Sequence, residues 1–535
     1  MHIDAMNYDP TPLEINLIER VCVGDIIARS ADLFPQSVAV TDGKRRITYE
    51  AFNRQIDRLG HALLTLGLAH QDVVSVMTRN VLELLVSYFA CARAGLTCAP
   101  VNLALSPAEI AWCLADSKTR VLIAEQALAD VAEQVLSTPL PDLKHQFWIG
   151  KTGNPDSFEA LLAHGHDAPL EALVKDRDSV QLLYTSGTTA QPKGVLTSHL
   201  AVTMAALSGA LVMQATPGYT VLAQLPLFHC AMLNSIVIPA LLAGGRAVLA
   251  KGFEPHAIAD LIEQEAIDLV LLLPMMHGQM IDDPVLGQRT FPTVKRAMYA
   301  MAPMSEQRLH QVHAMFPNAD VVLGSGQTEF TPASCVQRPE HQWTKAATWG
   351  TATVMTRAAV MDEAGRLLPR GQTGELVYRG PQVMNSYLNQ PQASRNCLRH
   401  GWFHSGDVVH IDDDGAIWFQ DRTKDLIKTG GENVASIEIE RCLLGYPDVL
   451  DAAVVGVPHP HWGEAVTAVV TSKPGSQIDE AELMAFCRGK LAPFKIPKRI
   501  IVKSEMPRTG TGKIQKHLLR SELAQLFTPS RSDTD

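Results

Sequence analysis

The apolar, strand-like run Val180–Tyr184 leads into Thr185-Ser186-Gly187-Thr188-Thr189-Ala190-Gln191-Pro192-Lys193-Gly194. Five consecutive small residues, Thr185 to Thr189, leave their backbone N–H groups free to wrap the oxygens of a polyphosphate. Lys193 adds a mobile positive charge close by. The segment is not a Walker A loop, because Pro192 occupies a position that motif reserves for glycine and Gly194 one it reserves for Ser or Thr. Runs of Ser, Thr and Gly also form plain surface loops, so the segment alone leaves phosphate binding and an ordinary turn both open.

The surrounding pattern specifies a fold class. Phe52, Ile56, Leu59, Leu63 and Leu66 recur at helical spacing, with Gly67 placed as a cap. Val73–Met77, 120–124 and 269–273 read as buried strands. Strands alternating with amphipathic helices predict a layered α/β body with largely parallel sheets. Near 421–425 a charged stretch separates the strand 417–419 from the strand 426–428. Beyond it follow a helix (437–444), strands at 451–456 and 465–471, a helix starting near Asp479, a strand at 499–502, a Gly-rich loop and a last helix. The pattern thus predicts a large body over residues 1–423 and a small α+β domain over 424–535. The tail after Leu526 is polar and is expected to be disordered.

Composition narrows the function. With 535 residues, 46% of them hydrophobic, the chain can bury several cores. The net charge of −10 and the absence of a Lys/Arg block give no support to a nucleic-acid partner. Nine cysteines are scattered without Cys-x-x-Cys pairs, which favours free thiols in a reducing compartment over disulfides or zinc. The N-terminus lacks the pattern of a signal peptide, and no apolar stretch is long enough to span a bilayer. A cytoplasmic protein is expected; a homodimer is left open.

The 184–194 segment resembles the phosphate-binding signature of the adenylate-forming superfamily, which comprises acyl-CoA synthetases, peptide-synthetase adenylation domains and luciferases. Four further stretches match in order: Gly326-Gln327-Thr328-Glu329, Trp402-Phe403-His404-Ser405-Gly406-Asp407, Asp421-Arg422-Thr423-Lys424-Asp425 and Pro507-Arg508-Thr509-Gly510-Thr511-Gly512-Lys513. The resemblance spans nearly the whole chain and is nearest to AMP-forming acyl-CoA synthetases. It implies a chemistry with a clear physical need. A carboxylate is a poor electrophile, and condensing it with ATP supplies a good leaving group. Two anions must be brought together and charge stabilised at the α-phosphate.

The resemblance implies roles for individual residues. Thr185, Ser186, Gly187, Thr188, Thr189 and Lys193 would hold the ATP phosphates. Ala302, Pro303, Ser325, Gln327 and Thr328 would border the nucleotide. Asp407 would accept the ribose hydroxyls, with Arg422 on the sugar or the phosphates. Glu329, with Thr188, would hold Mg2+. Lys513 would bridge the acid carboxylate and the α-phosphate; His229, Glu329 and Thr185 complete the expected catalytic set. His229, Cys230, Asn234, Ala300, Met301, Gly324 and Ser325 would line the acid site, joined by Ala231, Met232, Ser235, Phe330 and Thr331. Lys424 is the expected hinge of a mobile cap domain. Gly430 and Gly431 would leave a passage for the pantetheine of CoA, with an ordinary hairpin turn as the rival reading. The implied reaction is that of an acid–CoA ligase acting on a fatty, alicyclic or aryl acid, because Cys230–Ser235 holds no acid to grip an α-amino group. The same motifs suit an amide ligase, or transfer to a carrier-protein thiol. Arg441, Lys473, Arg488, Lys490 and Lys495 offer charges for a CoA phosphate. A binding protein without turnover is the reading that intact Lys193, Glu329, Asp407, Arg422 and Lys513 oppose.

Two positions depart from the superfamily's pattern. Ser325 stands where an aromatic residue usually stacks on adenine, and Ala300-Met301-Ala302-Pro303 replaces Gly-Gly-Ala-Pro. Met301 is expected to fill space vacated by the aromatic ring and to reshape the acyl site. Met301→Gly should therefore reorder the preference among acids in a substrate panel; an unchanged ranking removes Met301 from the acyl site.

Overall fold

The computed structural model describes residues 9–185, 191–300, 304–508 and 514–527. The expectations placed on Ser186, Gly187, Thr188, Thr189, Met301, Ala302, Pro303, Lys513 and the polar tail fall outside the described residues. The chain divides into two compact units, one of residues 1–358 with 378–403 and the other of residues 359–377 with 404–535.

The first unit contains two sheets. One has nine strands in the order Thr351–Ala352, Ala333–Val336, Asp320–Gly326, Arg296–Ala300, Leu269–Leu271, Thr220–Ala223, Arg246–Leu249, Val38–Asp42, Arg45–Thr48. Its six inner strands run parallel, and antiparallel strands close both edges. The other has seven, in the order Ser386–Tyr387, Lys193–Ser198, Ser179–Thr185, Thr97–Pro100, Val73–Met77, Val121–Glu125, His145–Ile149. Here the last five are parallel, while Lys193–Ser198 and Ser386–Tyr387 are antiparallel additions. The expected parallel α/β body is what forms.

One helix accounts for much of the core. Every residue of Leu82–Ala94 is buried, and its core cluster holds residues of both sheets, among them Val40, Val221, Val322, Val74, Val76 and Val180. A helix buried on all sides is an interior helix. Its one basic residue, Arg93, is compensated: Nη1 donates to Asp57 Oδ1 at 2.6 Å, and Nη2 to Gly24 O at 2.7 Å and Asn53 Oδ1 at 2.8 Å. Asp57 lies on the periodic helix, Tyr49–Thr65, whose Phe52, Ile56, Leu59 and Leu63 are fully buried. Gly67 follows it with φ +79°, the left-handed geometry that glycine supplies after a helix.

The second unit is antiparallel for the most part. Phe403–Ile411 pairs with Ile417–Arg422, placing Asp407 opposite Arg422. Beyond them a sheet runs Glu432–Val434, Ile427–Thr429, Gly463–Ser472, Val449–His459, with Arg499–Lys503 parallel on Gly463–Ser472. Helices Ser436–Leu444 and Glu480–Arg488 pack on it; the latter starts beside Asp479 as expected, and the Asp479 side chain caps it. No disulfide joins any of the nine cysteines. Among the described residues no helix is long and apolar enough to cross a membrane.

Two buried histidines link the fold to pH. His199 accepts a hydrogen bond from Val23 N at Nδ1, 3.1 Å away; burial, aided by Arg20 and His70, lowers its pKa to about 3. His277, fully buried edge-on to Phe316, is lowered to about 4 by burial. Both are neutral when folded, so the unfolded chain takes up protons first as pH falls below about 6.5. Stability should therefore drop between about pH 6.5 and 4, by on the order of 1 kcal/mol per pH unit for each histidine. Denaturant midpoints measured at pH 7, 6 and 5 check this, and His199→Gln should make the decline shallower.

Candidate active site

The two strands that flank the small-residue run pair antiparallel: Ser179–Thr185 lies against Lys193–Ser198, with Tyr184 opposite Gly194 and Thr185 opposite Lys193. Thr185 Oγ1 donates to Lys193 O at 3.4 Å, so the two ends of the loop are tied side by side. The far edge of Lys193–Ser198 carries Ser386–Tyr387, with Tyr387 opposite Val195. Tyr387 then joins two residues far apart in sequence. Its ring lies under Lys193 Nζ, 5.2 Å from the centroid, and its hydroxyl donates to Glu329 Oε1 at 2.7 Å. Burial first, and then the Glu329 charge, push the Tyr387 hydroxyl's pKa upward, so it remains a neutral donor. Nothing local in the sequence marks Tyr387: its role comes from a two-residue strand remote from both partners.

Glu329 is held by an unusual turn. A Cβ at Gly326 would fall 1.2 Å from Pro332 O, so only glycine fits where the chain doubles back. Thr331 adopts φ +49°, which for a β-branched residue costs on the order of 1–3 kcal/mol, and its hydroxyl donates to Gln382 O at 2.7 Å. Met384 N donates to Glu329 O at 2.8 Å. Thr328 Oγ1 lies 3.2 Å from Cys230 Sγ, bringing together two expected site residues. Phe330 is buried against Tyr378 and Phe403, and Thr331 is buried as well; both belong to the core below the turn.

His229 precedes the helical turn Cys230–Met232, which passes into a π-helical segment, Leu233–Val237, and then the helix Ile238–Leu242. Pro239 has no N–H to return to the carbonyl of Ser235 four residues earlier, a lapse in the α-helical ladder where the wider turn forms. Asn234 is fully buried within this segment. It exchanges two hydrogen bonds with Gln181, Asn234 Nδ2 to Gln181 Oε1 at 3.0 Å and Gln181 Nε2 to Asn234 Oδ1 at 3.1 Å. Tyr88 adds a third to Gln181 Oε1 at 2.8 Å. Its amide thus ties the π segment to the strand that ends in the small-residue loop. Asn80, which sequence reasoning passed over, pins the approach to His229. Its Nδ2 donates to Ala223 O, Leu225 O and Ala250 O, and its Oδ1 accepts from Leu227 N.

Ala300 and Gly324 pair across two parallel strands at the carboxyl ends, where α/β sheets bind ligands. Ser325 and Gln327 follow directly, part-buried. In the second unit Asp407 is buried and Arg422 Nε stands 3.3 Å from its Oδ1. Thr423 N donates to Gly406 O at 2.9 Å, and Asp425 N and Leu426 N close on Arg422 O. Lys424 is exposed on this tight turn. Gly430 and Gly431 form the two-residue turn between Ile427–Thr429 and Glu432–Val434, with φ +59° and +86°. Hairpin geometry alone therefore requires this pair.

The matches to known proteins agree with this geometry. The family model described as AMP-binding enzyme matches residues 27–388, and that of the AMP-binding enzyme C-terminal domain matches 438–513. The chain belongs to the AMP-binding enzymes. An indoleacetate–CoA ligase of Aromatoleum aromaticum is 34% identical over 511 residues, 93% of this chain and 98% of that protein. Among solved structures, ATP-bound MatB from Rhodopseudomonas palustris superposes with a TM-score of 0.85 at 28% identity, covering 94% of this chain and all of that one. The amide bond synthetase McbA from Marinactinospora thermotolerans superposes with a TM-score of 0.84 at 26% identity, covering 94% and 99%.

This AMP-binding enzyme is an ATP-dependent, AMP-forming ligase. The donor set suits the Mg2+ that accompanies ATP. A carboxylate and a neighbouring hydroxyl are the oxygen ligands Mg2+ prefers, and an ion shared with phosphates needs few from the protein. Among the described residues no three His, Cys, Asp or Glu side chains cluster as a metal cage. Because Tyr387 orients the Glu329 carboxylate, Tyr387→Phe should raise the Mg2+ concentration needed for half-maximal pyrophosphate release about 10-fold. An unchanged Mg2+ dependence excludes Tyr387 from the site.

Proposed function

We propose that this ligase condenses a hydrophobic carboxylic acid (fatty, alicyclic or aryl) with ATP to an acyl-adenylate and passes the acyl group to the CoA thiol. The observation that carries this reading is the Lys193–Tyr387–Glu329 arrangement at the foot of the small-residue loop. A cation, a neutral donor and an oriented carboxylate meet there, as binding of a metal-bound triphosphate requires. Thr185 and Lys193, with Ser186–Thr189, hold the phosphates, and Glu329, with Thr188, holds Mg2+. His229 and Cys230 face the acid beside Ala300, Gly324 and Ser325. Asp407 takes the ribose, with Arg422 steadying its carboxylate. Lys513 neutralises the carboxylate and the α-phosphate in the first half-reaction. Rotation of residues 424–535 about Lys424 then brings the Gly430–Gly431 turn into use for the thiol.

A second reading keeps the adenylate and replaces the thiol with an amine, favoured by the likeness to an amide bond synthetase. A carrier-protein thiol is the remaining acceptor. Mass spectrometry of reactions with ATP, Mg2+ and a panel of fatty, alicyclic and aryl acids, with and without CoA, separates them. Acyl-CoA formed only when CoA is present is the expected result. An adenylate that accumulates and ignores CoA overturns the choice of acceptor. Lys513→Ala should slow pyrophosphate release on the order of 10²–10³-fold and affect thiol transfer from preformed acyl-adenylate far less.

A further inference from the structure

Beside Met298 lies a narrow cavity of about 20 Å³, room for one small polar group such as a hydroxyl. Its floor is the face of the nine-stranded sheet that carries Met298 and Val336. Met298 stands two residues before Ala300 on one strand, and Gly324 pairs with both Ala300 and Val336. The Met298 methyl group would lie 3.4 Å from a Cβ at Gly324, which sets the cavity beside the strand ends that carry two of the expected acid-site residues. Its roof is formed by the helix His199–Met213, through Ser208, Gly209, Val212 and Met213, and by Ser235 of the π segment. A Cβ at Gly209 would lie 2.8 Å from Pro239 Cγ, which shows how closely the helix crosses this segment.

Most of the lining is apolar, but two hydroxyls are not accounted for. Ser208 is 4% exposed, and the Oγ atoms of both Ser208 and Ser235 are buried with no hydrogen-bond partner among the described residues. Thr353, the other hydroxyl in the lining, donates to Ala333 O at 2.8 Å. Buried hydroxyls are nearly always hydrogen-bonded, and a helical serine has its own backbone carbonyls within reach. Two that forgo them and line one cavity from two separate elements mark a place for a polar ligand atom.

We infer that the acid carries, at the end of its acyl group remote from the carboxylate, a hydroxyl or carbonyl oxygen that is hydrogen-bonded by Ser208 and Ser235. This rests on the acid-activating reading above and narrows its substrate class from plain hydrocarbon acids to oxygenated ones. Serine hydroxyls both donate and accept, so a hydroxyl and a carbonyl are recognised by the same pair.

The test compares kcat/KM for pyrophosphate release with hexanoic, 6-hydroxyhexanoic and 5-oxohexanoic acids, and with 3-phenylpropionic and 3-(4-hydroxyphenyl)propionic acids. The wild-type enzyme should favour an oxygenated acid over its parent on the order of 10²-fold, the two oxygen chemistries being told apart within the hexanoic series. In the double variant Ser208→Ala, Ser235→Ala that ratio should fall toward one. Acids that turn over with no preference for oxygen overturn the inference, as does a preference that survives in the double variant. A lowered melting temperature with an unchanged ratio assigns the hydroxyls to packing and overturns it too. Failure of every acid to release pyrophosphate brings down the acid-activating reading itself, and the inference with it.

Discussion

Backbone pairing along Lys193–Ser198 is the constraint on which the site depends. A strand added to a parallel sheet in antiparallel sense leaves a row of N–H and C=O groups on its outer edge, and such groups must find partners. The segment 385–388 supplies them: Asn385 N donates to Leu196 O and Leu388 N to Gly194 O, both at 2.8 Å. The same ladder sets Tyr387 beneath Lys193 and within reach of Glu329. Hydrogen bonds that satisfy a sheet edge thus also determine the spacing between a cation and a carboxylate nearly 140 residues apart in the chain.

Buried amides play a comparable part around His229 and the π segment. Asn80 and the Gln181–Asn234 pair lie in surroundings where an unmet polar group is costly, so each settles into one hydrogen-bonded geometry. Through them the His229 turn and the π segment are held to the two sheets by directional bonds as well as by apolar contact. Apolar packing tolerates small shifts, whereas a reciprocal pair of amide bonds does not.

Much of the fold was legible in the sequence because periodicity reports burial directly. The helix through Phe52 and Ile56 and the strand Val73–Met77 form where the pattern places them. Strand 269–273 is shortened to Leu269–Leu271, since Leu273 becomes the cap of a helix that begins at Pro274, and a short apolar run does not reveal such a change. The candidate site was legible where the expected residues are consecutive, as in Gly326–Glu329. It was not legible where its geometry depends on one residue brought in from afar. Tyr387 and Asn80 look like ordinary tyrosine and asparagine until the sheet places them. Phe330, read as lining because it stands beside the Gly326–Glu329 stretch, is held among neighbouring aromatic rings that only the fold brings to it.

The π segment has a consequence for how this site can diversify. Adding one residue to an ordinary helix turns everything beyond it by about 100°, which carries a whole apolar face out of the core. A π turn absorbs an extra residue locally and leaves the flanking faces aligned. Insertions and deletions between Cys230 and Leu242 can therefore change the contour of the cavity wall while the sheets keep their places. Here a lineage can explore new substrates by changing length, a step most buried helices do not tolerate.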